Sequence, residues 1–198
     1  MSSPYLGQPV ENWPCITNKL IEDHPLEESQ IVECCLAAWN DIYYSKIGRH
    51  GFRIGVDIFV RPQIIGALLH ELIPAEIVAS NPGLWQREQR YDDKDIVYIP
   101  NSNYSIELKT SSNASKIFGN RSYAQAPTES KKSKDGYYLT INFEQIKERS
   151  DSPPDITIIR FGWIDHTDWI GQAAETGQQA RLSKDAYAYK LKTLYSKR

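Results

Sequence analysis

This 198-residue chain offers little covalent or metal-based scaffolding. Its three cysteines, Cys15, Cys34 and Cys35, are an odd number and two are adjacent, so a disulfide framework is not expected and a reducing cytoplasm is. There is no CxxC and no His/Cys pair at ligand spacing, which argues against structural zinc. No apolar run is expected to reach the ~18 residues needed to span a bilayer, so a membrane protein is not expected. The first ten residues have neither a basic start nor an apolar stretch, and a secretory signal is not expected. Repeats and low-complexity segments are absent. What is present is globular: 40% hydrophobic and 24% charged residues, in a length that suits one domain.

Charge divides unevenly. Residues 1–108 hold 8 Lys+Arg against 15 Asp+Glu, a net of −7, and residues 109–198 hold 15 against 10, a net of +5. Such a split can set an acidic site beside a basic surface. Met1 to Pro25 reads as an irregular arm packed by Trp13 and Ile16. From Glu27 to Ile47 the apolar residues recur at three and four, predicting an amphipathic helix ended by Gly48. Gly51 to Val60 reads as a strand or an extended connection. A second helix starts at Arg61-Pro62, with Ile64, Ile65, Leu68, Leu69 and Leu72 as its stripe, and Pro74 is expected to stop or kink it. Leu84 to Tyr91 reads as a helical turn or two.

The rest is β-rich. Strands are predicted at Asp95–Pro100, Tyr104–Thr110, Tyr137–Phe143 and Ile156–Ile164, with a turn at Asn101-Ser102-Asn103. Tyr123 and Ala124 are modest helix candidates, and Glu144–Arg149 is a short one. Asp165 to Leu182 reads as a polar loop, and Ser183 to Tyr195 fits helix or strand equally. The fold class is α/β, a mixed central sheet flanked by helices. One domain is expected over 1–198, with an N-terminal helical region at 1–60 and the core at 61–198.

The chemistry concentrates between Asp95 and Ser112. Alternation along a strand sends Ile106 and Leu108 one way and Glu107 and Lys109 the other, onto the exposed face. Folding the hairpin about Ser102 puts Asp95 opposite Lys109 and diagonal to Glu107. A one-residue slip would put Asp92 or Asp93 there instead. Two carboxylates attract a hard divalent ion, and Mg²⁺ favours few carboxylates supplemented by water and phosphate oxygens. The Leu108 carbonyl is a further candidate ligand. Lys109 can position or deprotonate the attacking water, or offset charge building on phosphorus. The set fits phosphodiester hydrolysis. An ExK alone is a common exposed strand pattern. The acid a dozen residues upstream, the turn between and the basic polar residues after it sharpen the reading.

With these residues the chain resembles the PD-(D/E)xK nuclease superfamily. The run Glu107-Leu-Lys-Thr-Ser-Ser112, then Ile117 to Gln125, then Arg160 to Arg181, is similar to type II restriction endonucleases, nearest the ScaI-type enzymes, from about residue 60 onward. Lys94, where many members carry proline, is a departure. The resemblance implies a restriction-endonuclease-like core and Mg²⁺-dependent cleavage of double-stranded DNA at a short palindrome by a homodimer. It also implies a restriction-modification system whose methyltransferase acts on the same sequence. A glutamate from a preceding helix joins the site in some members, making Glu71 and Glu76 candidates.

DNA contacts are expected from Ser111, Ser112, Asn113, Lys116, Asn120, Arg121 and Gln125, from Lys131, Lys132 and Lys134 along the backbone, and from Gln172, Gln178, Gln179 and Arg181 at base edges. His166 reads as a satisfied surface histidine. The competing readings are a repair or junction nuclease using the same site, and a non-catalytic DNA-binding module.

Overall fold

The computed structural model describes residues 2–125, 133–146, 152–174 and 176–197. Three helices come first: α1 (Trp13–Glu22), α2 (Glu28–Tyr44) and α3 (Pro62–Ser80). α1 replaces the expected irregular arm. Pro14 sits in its first turn, where the missing amide costs nothing. α2 buries Ile31, Cys34, Cys35, Ala38, Trp39, Ile42 and Tyr43 along one stripe. It ends at Tyr44 rather than Ile47, and the connection to α3 carries only isolated bridges. All three cysteines are free.

α3 continues six residues past Pro74, contrary to the expected stop. Pro74 withholds the amide that the His70 carbonyl would accept in a regular helix. Its ring is buried with Ile73 and Ile77 in the main core, which offsets that loss. By length and composition alone α3 could cross a membrane. It instead carries His70, Glu71 and Glu76 and packs Ile65, Leu69, Ile73 and Ile77 into the same core as α2 and the sheet.

Among the described residues nine strands follow: β1 (Trp85–Arg87), β2 (Ile96–Tyr98), β3 (Ile106–Ser111), β4 (Phe118–Asn120), β5 (Gly136–Phe143), β6 (Ile156–Ile164), β7 (Trp169–Gly171), β8 (Gln179–Leu182) and β9 (Leu191–Ser196). Six form a mixed sheet in the order β1-β2-β3-β5-β6-β9, with β3 and β5 parallel and the other pairs antiparallel. The α/β class with a mixed, helix-flanked sheet is what the residues predicted. β1 stands where helical turns were expected, because Trp85 pairs with Tyr98 across the ladder, ring centroids 4.8 Å apart. Glu144 to Ile146 is irregular rather than helical, and residues 147–149 lie outside the described ones.

A second sheet, β4-β8-β7, draws β7 and β8 from the segment read as polar loop. The two faces of the main sheet therefore differ. Tyr137, Leu139, Ile141 and Phe143 join the three helices in one core cluster. Tyr138 joins Ile117, Tyr123, Trp169, Ala180 and Leu182 in another, beneath the small sheet.

A buried ion cluster fixes that second layer. The Lys190 ammonium bonds Asp165 (2.9 Å) and Asp168 (2.8 Å) and lies against the Tyr5 and Trp13 rings. Ser3 and Trp163 also donate to Asp165. Lys190 closes a π-helical turn, Ala186–Lys190, before β9. A Cβ on Gly162 would lie 2.0 Å from the Lys190 carbonyl oxygen, so only glycine admits this approach.

His24 sits where the helices meet the hairpin, among Trp85, Tyr104, Tyr137 and Phe161. Leu26 N–H donates to Nδ1 (3.2 Å) and Nε2 bonds the Tyr104 carbonyl (3.0 Å), a pattern the neutral ring satisfies. Burial lowers its pKa to about 4, against about 6.5 in an unfolded chain. The unfolded state thus takes up a proton that the folded state refuses. The associated stability is complete above pH ~6.5, is lost as pH falls towards ~4, and amounts to about 3 kcal/mol. Urea unfolding at pH 7 and pH 4.5 should show wild type losing about 2–3 kcal/mol more than His24→Gln over that interval; parallel losses would acquit His24.

Candidate active site

The site is built on β3, between β2 and β5. Ile106 and Leu108 enter the helix-side core. Glu107 and Lys109 turn to the other face, as alternation predicts, but that face is not exposed. Glu107 is 2% exposed, because the small sheet and the 3-10 turn Arg121–Ala124 after β4 cover it. A carboxylate so deeply buried requires partners. Lys109 Nζ donates to Glu107 Oε1 (2.7 Å) and to the Leu108 carbonyl (2.9 Å). Tyr123 Oη donates to the same Oε1 at 2.5 Å. The Tyr123 ring also receives the ammonium groups of Lys109 (4.8 Å) and Lys134 (4.3 Å).

Asp95 reaches the same place from the end of β2. Its Oδ2 accepts the Leu108 backbone N–H at 2.5 Å. The observed pairing is Ile96 with Ile106, two residues from the expected register, which sets Asp95 level with Glu107 rather than Lys109. A two-residue shift preserves the face, so the convergence survives the error. Asp92 and Asp93 stay outside the site, near Arg90. Tyr138 lies beside Glu107 across the ladder. Burial, then the Glu107 charge, holds its phenol well above the ordinary pKa, and it donates to the Lys134 carbonyl (2.6 Å).

Asp95, Glu107 and the Leu108 carbonyl form a compact set of hard oxygen donors of the kind Mg²⁺ accepts. An ammonium already touches two of these groups, which shows that the pocket favours positive charge. Among the described residues no group of three or more His, Cys, Asp or Glu side chains gathers. A hard ion here could draw on two carboxylates and a main-chain oxygen.

Neither glutamate proposed from the preceding helix is seen at these carboxylates. Glu71 pairs with Arg87, and Glu76 acts on Cys34 beside α2. α3 instead offers His70, whose Nδ1 lies 4.0 Å from Asp95 Oδ2. A Cβ on Gly66 would come within 2.9 Å of Thr110 Oγ1, so α3 lies close over β3 and delivers His70 one turn later. His70 and Tyr123 escaped the sequence reading. Nothing local in the sequence marks either.

The expected DNA-contacting residues separate into groups. Ser111 Oγ accepts from Asn113 N–H, and Ser112 Oγ from Gln145 Nε2. Ser112 also lines a cavity of about 690 Å³ with Tyr43, Arg53, Phe143 and Pro153, away from Asp95, Glu107 and Lys109. Arg121 donates to the carbonyls of Ala174 (3.1 Å) and Gly177 (3.3 Å), bracing the β7–β8 connection. Gln172 Oε1 accepts from Gln179 N–H, and the Gln178 carbonyl from Arg121 N–H. Asn120, Gln125 and Arg181 are exposed. His166 bonds Asp135 at 3.0 Å, a satisfied partly buried ring. Lys131 and Lys132 lie outside the described residues.

The family model of the ScaI restriction endonuclease matches residues 3–195. The type II restriction enzyme ScaI of Streptomyces caespitosus is 45% identical over 181 residues, covering 91% of this chain and 79% of that protein. No solved structure gives a significant match.

Tyr123→Phe keeps the ring and its ammonium contacts but deletes one charge-assisted hydrogen bond to Glu107. Urea unfolding should show a loss of about 1.5–3 kcal/mol; an unchanged midpoint would mean the hydroxyl contributes nothing to holding the carboxylate.

Proposed function

The chain belongs to the ScaI restriction endonuclease family, and from that premise we propose that it cuts double-stranded DNA at a short palindromic sequence, as a Mg²⁺-dependent homodimer. It is a type II site-specific deoxyribonuclease, and enzymes of this kind generally use a divalent metal. The observation that carries the finer reading is the convergence of Asp95, Glu107 and Lys109 at the Leu108 main chain.

Asp95, Glu107 and the Leu108 carbonyl would hold the ion, which supplies charge neutralisation at the phosphate and a more acidic water. Asp95 is kept in place by the Leu108 amide, and Glu107 by Tyr123. Lys109, with three donors on a flexible stem, places positive charge where negative charge builds on the phosphate oxygens. The covering layer limits water around these groups and strengthens their fields. A two-fold dimer matches a palindrome, since each protomer then cuts one strand. The setting would be a cytoplasmic restriction-modification system whose methyltransferase marks the same sequence without needing to bind this protein.

Plasmid incubated with the protein and Mg²⁺ should yield discrete fragments with identical termini, and chelation should abolish cutting. Asp95→Asn, Glu107→Gln and Lys109→Ala should each lower the cleavage rate by about 10²-fold or more while duplex binding persists. Cutting at branched DNA only would favour a junction nuclease, and binding without cutting a non-catalytic module. Normal cutting by Asp95→Asn would remove Asp95 from the site.

A further inference from the structure

The β4-β8-β7 sheet has two unlike faces. Inward, Ala180, Leu182 and Trp169 are buried beside Ile117 and Tyr138. Gly119 packs closely there, since a Cβ would stand 3.1 Å from the Trp169 ring. Outward, the register sets Arg181 directly between Phe118 on β4 and Ile170 on β7. Gln179 sits opposite Asn120 one step along the same face.

Several features distinguish this face from an ordinary solvated one. Phe118 and Ile170 remain 36% and 44% exposed on either side of a cation. Large apolar side chains flanking a central arginine are the composition of an interface centre rather than a surface. The three strands contain no Asp or Glu, so the face is cationic and complementary to a polyanion. Among the described residues the Arg181 guanidinium and the side-chain amides of Asn120 and Gln179 make no hydrogen bond. Arg121 and Gln172, by contrast, are engaged in bracing the loop behind. Finally, β4 runs directly into the turn whose Tyr123 bonds Glu107.

We propose that the outer face of the β4-β8-β7 sheet reads bases in the major groove, with Arg181 held between Phe118 and Ile170 and donating to guanine N7 and O6, and Asn120 and Gln179 beside it. This rests on the endonuclease reading above. The major groove admits β-ribbons and presents the N7/O6 acceptor pair that suits a guanidinium fork, while amides suit adenine and apolar side chains the thymine methyl. Arg181 is thus a specificity residue, and Arg121, expected to touch DNA, is a brace for the loop beneath it.

The test couples one side chain to one base atom. The cognate sequence is read from the termini of a wild-type digest. Duplexes carrying 7-deazaguanine at each guanine in turn are then cleaved by wild type and by Arg181→Ala, and kcat/KM is compared. At one guanine, loss of N7 should slow wild type by about 5- to 150-fold yet leave Arg181→Ala unchanged. Independent, multiplying effects at every guanine, a site without guanine, or Arg181→Ala cutting within about twofold of wild type would each overturn the proposal. Should Arg181→Ala fold poorly, Arg181→Met keeps the stem and removes the donors, and carries the same comparison. If wild type cuts nothing, the endonuclease reading itself fails; if it cuts discretely without the coupling, only this inference does.

Discussion

A buried carboxylate on a central strand governs much of this architecture. Glu107 occupies a position where solvent was expected, yet it is covered. An ionised group in that setting cannot persist without compensation. Lys109 and Tyr123 supply it, and Tyr123 can do so only because β4 and its following turn return over β3. The second sheet is thus more than an appendage. It encloses the reactive groups.

What anchors that layer lies on its far side. Lys190, Asp165 and Asp168 are all buried, and burial raises the Asp168 carboxyl despite the lowering by Lys190. A buried ionic group is weak evidence of net stability, but removing one member strands the others. Its geometric effect is plain: it holds the turn before β7 against the segment before β9, so that β7 and β8 leave the main sheet in a fixed direction. The Gly162 approach to Lys190 closes the same joint from β6.

Legibility in the sequence followed range. The long strands Tyr137–Phe143 and Ile156–Ile164 and the stripe of α2 announced themselves by period, and the acidic pair with its lysine by spacing and alternation. The register of β2 on β3 did not, because three residues in 3-10 conformation, Ser102–Tyr104, displace the turn centre. Strands as short as β4, β7 and β8 carry too few residues for alternation to register, and their polar outward residues imitate a loop. α1 was hidden by the prolines around it, of which only Pro14 falls inside the helix, in its first turn. Tyr123 and His70 were invisible for another reason: each meets its partner through tertiary folding, and neither has a local pattern that implies the contact.

The fastening of Lys190 also recruits residues from the opposite end of the chain: Ser3 bonds Asp165, and Tyr5 and Trp13 lie against the ammonium. Head and tail are therefore tied into one knot. An affinity tag fused directly ahead of Ser3, or a protease trimming the first dozen residues, would tug on that knot and be felt across the molecule, as slack in the layer that closes over the reactive carboxylate.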